Sequence, residues 1–261
     1  MTGAAAITAA IEAANADGRP ALVPFITAGY PDRQEFAQHL QVLSGCGDVV
    51  EVGVPFTDPL ADGVTIQRSS EAALKAGVSL DWILTTLQQS AADRAAPVIL
   101  MSYLNPLLAM GYEQLAERCI AAGVAGFIVP DLPWEESAPL RAALEPRGLA
   151  LVQLVSPVTT ADRMKMLCEA SAGFVYAVTV TGVTGGNKPV NESAILDYLD
   201  RVRSVSPIPV CAGFGIREAS QVEQIGLHAE GVIVGSALVE VLEQGGDARA
   251  FLQSLGGKQH D

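Results

Sequence analysis

The sequence is poor in charge. Only 17% of its 261 residues are Asp, Glu, Lys or Arg, and 16 basic against 29 acidic side chains leave a net charge of −13. That shortage of positive charge argues against nucleic acid or an anionic membrane surface as partner, because the field of the whole molecule repels polyanions. A phosphate-bearing small molecule stays possible, since local backbone dipoles can hold it whatever the net charge. Cysteine is scarce and scattered. Cys46, Cys119, Cys168 and Cys211 form no C-x-x-C, which argues against a disulfide framework or a zinc site and for small buried side chains in a reduced compartment. No metal site is expected. No apolar run reaches the roughly 18 residues that span a bilayer. The N-terminal stretch MTGAAAITAAIEAANADGRP lacks a basic start, and Glu12 interrupts its apolar part. Residues 1–18 therefore read as a capping helix rather than a signal peptide. A soluble, cytoplasmic protein is expected. Linkers, charge runs and low-complexity segments are also missing, so residues 1–261 read as one domain.

What is present is an alternation. Eight short apolar runs read as strands: 21–27, 48–53, 97–101, 124–129, 149–154, 173–178, 208–212 and 231–234. Most are β-branched and almost continuously hydrophobic, as parallel strands buried on both faces must be. Helical patterns separate them, at Asp32 to Ser44, Ser79 to Ala91, Gly111 to Ala122, Glu135 to Glu145, Ala161 to Ala170, Glu192 to Ser204 and Glu218 to Ile225. Eight βα units with no evident edge strand predict a closed (β/α)₈ barrel of the TIM type, which takes about 250 residues. The connection after the second strand is unusually long: VPFTDPLADGVT precedes a helix starting near Thr65. Long βα loops at the C-terminal face of a barrel carry function.

Side chains alternate along a strand, so Val49, Glu51 and Gly53 share one face and Val50, Val52 and Val54 the other. The valine face suits outer helices, and Glu51 then points into the barrel. A carboxylate there is costly unless paired, hydrated or protonated. Burial raises its pKa, which suits a general acid and base; a structural carboxylate bonded to backbone is the other reading. In the loop, Asp58 and Asp62 fit ordinary Asp-Pro and Asp-Gly turn chemistry, although Pro59 and Gly63 could also hold Asp62 over the barrel mouth. Gly213-Phe214-Gly215 follows the seventh strand and Gly235-Ser236 the eighth. Many barrels bind phosphate there, on glycine backbone N–H groups and a helix N-terminus; plain tight turns are the alternative. His39, His228 and His260 are expected to be solvated or capping residues.

Glu51-Val52-Gly53-Val54-Pro55-Phe56-Thr57-Asp58-Pro59-Leu60-Ala61-Asp62-Gly63, continuing through Thr65-Ile66-Gln67, is very similar to the most diagnostic segment of tryptophan synthase alpha subunits. Further similar segments are Pro24 to Gly29, Tyr103 to Pro106, Pro130 to Pro133 with Glu135 to Ser137, Gly182 to Gly185, Gly213 to Ile216 and Gly235 to Ala237. They occur in family order and spacing over essentially the whole chain. The resemblance implies a lyase that cleaves indole-3-glycerol phosphate to indole and glyceraldehyde 3-phosphate by a retro-aldol reaction. It implies Glu51 as the proton shuttle and Asp62 as hydrogen-bond acceptor for the indole N–H. It implies Phe25, Met101, Tyr103, Tyr176, Thr184 and Phe214 around the substrate, and Gly185, Gly215, Gly235 and Ser236 at the phosphate. Met101 stands where the family usually has Leu, a swap that conserves volume. The stretch TGVTGGNKPV resembles the family's lid; Thr179-Val180-Thr181 stand near where some members carry Arg. No cofactor is implied for this chain. Pyridoxal phosphate is expected only in a partner beta subunit, in an αββα assembly whose interface includes Pro55 to Asp62 and the Pro130 to Trp134 region. Competing readings are another phosphate-binding barrel enzyme, a catalytically weak regulatory subunit, and a free-standing lyase that works without a partner.

Overall fold

In a computed structural model, residues 1–178, 192–213 and 215–258 are described. Eight parallel strands close a barrel in sequence order: β1 (Ala21–Thr27), β2 (Val50–Gly53), β3 (Val98–Met101), β4 (Val124–Ile128), β5 (Ala150–Val155), β6 (Val175–Val178), β7 (Val210–Gly213) and β8 (Gly231–Val234). This is the (β/α)₈ barrel that the alternation predicts. The helices are α1 (Gly3–Ala16), α2 (Phe36–Cys46), α3 (Val64–Lys75), α4 (Leu80–Gln89), α5 (Leu104–Met110), α6 (Tyr112–Ala121), α7 (Ala138–Leu144), α8 (Ala161–Ala170), α9 (Glu192–Val205), α10 (Ala219–Gly226), α11 (Ser236–Glu243) and α12 (Ala248–Ser254). Among the described residues no helix is long and apolar enough to cross a membrane.

Local chemistry explains several boundaries. Ser79 caps α4 by accepting the Trp82 N–H at 3.3 Å. Glu218 and Gln221 form a reciprocal capping box on α10. Gly123, with φ +64°, ends α6 in the left-handed region where a Cβ is costly. The expected helix from Asp32 starts only at Phe36, because Asp32 spends its carboxylate on the Gln34 N–H, making a turn. The expected helix from Glu135 is a 3₁₀ turn at Trp134–Glu136 followed by α7.

The core has two parts, divided by the pleat of the strands. Val50, Val52, Leu100 and Phe127 face outward and pack against the helices. Val23, Val49, Ile99, Val152 and Ile233 face inward. The inner core continues into α1, whose Ile7 and Ile11 are fully buried against it. Three bonds seat this helix across the N-terminal ends of the strands: Ala4 N–H to the Gly148 carbonyl at 3.1 Å, Thr8 Oγ1 to that of Gly173 at 2.7 Å, and Asn15 Nδ2 to that of Glu230 at 2.8 Å. Gly3 must be glycine, since a Cβ there would lie 2.4 Å from the Ala125 carbonyl oxygen. One end of the barrel is thus plugged, and the site can form only at the other.

Candidate active site

Two buried acids, one just before β2 and one within it, meet opposite fates. Asp48, just before the strand, accepts two bonds from Arg19, at 2.7 and 2.8 Å, and one from the Leu22 N–H at 2.8 Å. Burial alone raises a carboxyl's pKa, but those donors outweigh it and hold Asp48 below its ordinary value. Glu51 lies within the strand and is 1% exposed. Its Oε2 is buried without a hydrogen-bond partner among the described residues. Burial, and then the nearby charge of Asp62, push its pKa up to about 8. Asp48 is therefore structural, and Glu51 is an acid that holds its proton at neutral pH with nothing but a cavity to give it to.

Asp62 is brought to that cavity by its loop. A turn closes with the Asp62 N–H on the Pro59 carbonyl at 3.0 Å. Gln67 Nε2, from the first turns of α3, ties the Asp62 carbonyl at 2.9 Å. From the end of β3, the Tyr103 hydroxyl accepts the Ala61 N–H at 2.9 Å and hydrogen-bonds the Asp62 carboxylate. The Tyr103 ring stacks on Phe56, centroids 5.1 Å apart. Burial raises the Asp62 pKa and the Tyr103 bond lowers it, leaving it at about 6. Asp58 instead points outward, accepting from Thr57 Oγ1 at 2.6 Å, as a turn residue does.

The cavity at the barrel mouth measures about 250 Å³. Glu51, Asp62, Phe25, Met101 and Tyr176 all line it, and so do Gly215, Gly235 and Ser236. Eight of the twelve residues singled out in the sequence are thereby brought together. Tyr103 is not on the wall; it stands behind the loop and supports Asp62. Thr184, Gly185 and Phe214 lie outside the described residues. Sequence reasoning missed Ile66, Leu154, Val178 and Ile233, apolar side chains that also line it. The inward register could have found two of them: Leu154 alternates with Val152, and Ile233 faces inward like Val23.

The lining of the cavity combines two chemistries. One is a set of apolar side chains with two carboxyls among them. The Phe25 ring lies across Gly53, where a Cβ would come within 2.6 Å of its Cζ. Tyr176 is half-buried in the wall; desolvation together with the charges of Glu51 and Asp62 raises its hydroxyl well above the ordinary tyrosine value, so it stays a donor. The other is glycine backbone: Gly215 has φ +56° with open space around it, and Gly235 precedes the first turn of α11, which Ser236 opens. Glycine backbone beside a helix N-terminus offers N–H groups to an anion. Among the described residues no three His, Cys, Asp or Glu side chains are grouped to hold a metal.

Comparison with known proteins converges on one family. The family model described as "Tryptophan synthase alpha chain" matches residues 11–256. The tryptophan synthase alpha chain of Desulfovibrio desulfuricans is 47% identical over 245 residues, 93% of this chain and 96% of that one. The one from Nitratidesulfovibrio vulgaris is 44% identical over 247 residues, 94% and 95% of the two chains. Among solved structures, Mycobacterium tuberculosis tryptophan synthase in its open form superposes with a TM-score of 0.87 at 36% identity, covering 98% of this chain and 97% of that one. The Legionella pneumophila tryptophan synthase alpha chain gives 0.82 at 33% identity, covering 98% and 96%.

Proposed function

The chain belongs to the tryptophan synthase alpha-chain family, and from that premise we propose how its barrel mouth works. It is a carbon–carbon lyase of tryptophan biosynthesis that cleaves indole-3-glycerol phosphate to indole and glyceraldehyde 3-phosphate. Cleavage needs a proton on indole C3, so that the bond to the glycerol carbon can break, and removal of the proton from the adjacent hydroxyl, which becomes the aldehyde. Glu51 supplies the first proton in its neutral form; its carboxylate then takes up the second and is restored. Positive charge develops on the indole nitrogen as C3 is protonated. Asp62, ionised, accepts the N–H and stabilises that charge. Phe25, Met101 and Tyr176 hold the ring, and Gly215, Gly235 and Ser236 hold the phosphate, with Gly185, Thr184 and Phe214 contributing from segments outside the described residues. Tyr103 positions Asp62. This chain supplies the two carboxyl groups and calls on no cofactor.

The family works with a beta subunit. We assign that partner the pyridoxal phosphate, the αββα arrangement, and the face formed by Pro55 to Asp62 and Pro130 to Trp134. Leu60, 85% exposed at the tip of the first loop, is an apolar side chain suited to such a contact.

The observation that carries the mechanism is the unpartnered, buried Glu51 carboxyl sharing one cavity with Asp62. The test is indole release from indole-3-glycerol phosphate by purified E51Q and D62N. E51Q should abolish turnover with the fold intact, and D62N should lose most of it, on the order of a hundredfold. Wild-type turnover in E51Q removes the proton shuttle; unchanged kinetics in D62N remove the ionic hydrogen bond.

A further inference from the structure

Three separate segments meet at one carboxylate outside the cavity. The loops after β2, β7 and β8 bring Asp62, Gly215 and Ser236 to the barrel mouth. Closure of the barrel sets β1 between β8 and β2, so α3 and α11 pack against each other over β1. Glu240 stands on α11, one turn beyond Ser236. Its Oε1 accepts the Thr65 hydroxyl of α3 at 3.1 Å. Its two oxygens also accept both terminal nitrogens of Arg217, at 2.8 and 3.2 Å. The Arg217 guanidinium holds the Glu240 carboxyl below its ordinary value, so Glu240 stays ionised over the range in which Glu51 and Asp62 titrate.

Each donor is joined to a different part of the site. Thr65 lies in the first turn of α3, beside Ile66, which lines the cavity. Next comes Gln67, whose amide ties the Asp62 carbonyl at 2.9 Å. Arg217 follows Gly215 and the buried Ile216, and its backbone N–H donates to Gln221 Oε1 at 2.8 Å. An exposed ion pair adds little stability, and Arg217 is 58% exposed. A bidentate Arg–carboxylate pair does fix geometry, because two parallel bonds set direction as well as distance. One turn further along both helices, Arg68 Nε donates to Glu243 at 2.9 Å. That pair joins the same two helices, but neither of its residues lines the cavity.

We propose that Glu240 is a positioning residue: it ties the glycine turns that hold the phosphate to the helix that holds Asp62, so that a substrate anchored at one meets the other. The proposal rests on the reaction assigned to the barrel mouth, and its two arms can be cut separately with indole release from indole-3-glycerol phosphate as the readout. R217A frees the loop after β7 and should raise KM about fivefold with kcat nearly unchanged, because the phosphate is held alike before and during bond breaking. T65V frees the start of α3 and should lower kcat about threefold with KM nearly unchanged, because the charge that Asp62 meets develops only in the transition state. E240A cuts both arms and should show both effects. In E240Q an oxygen at the Oε1 position keeps the Thr65 bond, while the amide NH₂ faces an Arg217 nitrogen, so this variant should follow R217A and not T65V. E243Q is the control for a merely structural role: it breaks the Arg68 pair between the same helices and should lower the melting temperature as E240Q does, with KM and kcat kept. Equal kinetic changes in E243Q and E240Q, or wild-type KM and kcat in E240A, would overturn the proposal and leave the assigned reaction standing. A wild-type chain that releases no indole would overturn both.

Discussion

At the scale of single residues, protonation decides the chemistry. The proposed cycle starts with Glu51 protonated and Asp62 ionised. Their raised pKa values, about 8 and about 6, leave a window in which both conditions hold. We expect kcat/KM for indole release to be bell-shaped, rising through pH 6 and falling through pH 8. A plateau continuing to pH 9.5 would contradict the need for neutral Glu51. Tyr103 gives a sharper check, because its bond lowers the Asp62 pKa. Y103F keeps the stack on Phe56 but loses that bond, worth about 1 kcal/mol, so the acidic limb should move up by roughly 0.7 of a pH unit while the alkaline limb stays. A Tyr103 that merely packed would lower stability and leave both limbs alone. Glu51 also bears on stability. Its folded pKa lies above the ordinary 4.5, so between about pH 4.5 and pH 8 the folded state binds the extra proton and stability falls as pH rises. The full loss approaches about 5 kcal/mol. E51Q lacks the titrating group. Its melting temperature should therefore match the wild type near pH 4.5 and exceed it increasingly toward pH 8.5. A constant difference across that range would mean that folding does not raise the Glu51 pKa above its unfolded value.

At the scale of elements, legibility in the sequence followed how local the determinants are. The strands could be read because a parallel strand buried on both faces leaves an apolar run that nothing else of that length leaves. Glu51 could be read because alternation alone decides which way it faces. The seven- and eight-residue helices α5, α11 and α12 were not anticipated: two turns are too few to show a period of 3.6 against the noise of short loops. Asp62 could not be read from its own loop, where Asp-Gly looks like any turn. Its aim depends on the Tyr103 hydroxyl, supplied by another βα unit 42 positions away from Ala61. Pairing of β1 with β2 sets Phe25 beside Glu51 and Thr27 beside Gly53, and this yields a prediction. The Phe25 ring occupies the space where a Gly53 side chain would be. G53A should drive that ring into the indole slot, raising KM for indole-3-glycerol phosphate about tenfold, a loss of about 1.4 kcal/mol of binding, with a smaller effect on kcat. An unchanged KM would mean that the ring does not border the bound indole.

At the scale of the whole molecule, the barrel separates stability from chemistry along its axis. Its C-terminal end holds the two carboxyls and the glycine-rich turns; its N-terminal end is sealed by α1 and by the Arg19–Asp48 pair, which Lys258 joins at 3.3 Å to bring the end of the chain to the same floor. The two ends share the strands and the inner apolar cluster, which runs from Ile7 and Ile11 to Met101 and Tyr176, but no residue of α1 lines the cavity, and separated sites act nearly additively. The floor is then adjustable without touching the reaction. Ile11 is fully buried against the inner core. Truncating it leaves a cavity that a closed barrel cannot collapse around, since the strands are fixed to each other on both sides. I11A should cost about 2–5 kcal/mol in urea unfolding and leave kcat and KM for indole release at their wild-type values below the new melting temperature. A drop in turnover in I11A while the protein remains folded would show that the floor is coupled to the mouth, and that the inner core carries strain from α1 up to the Glu51 layer.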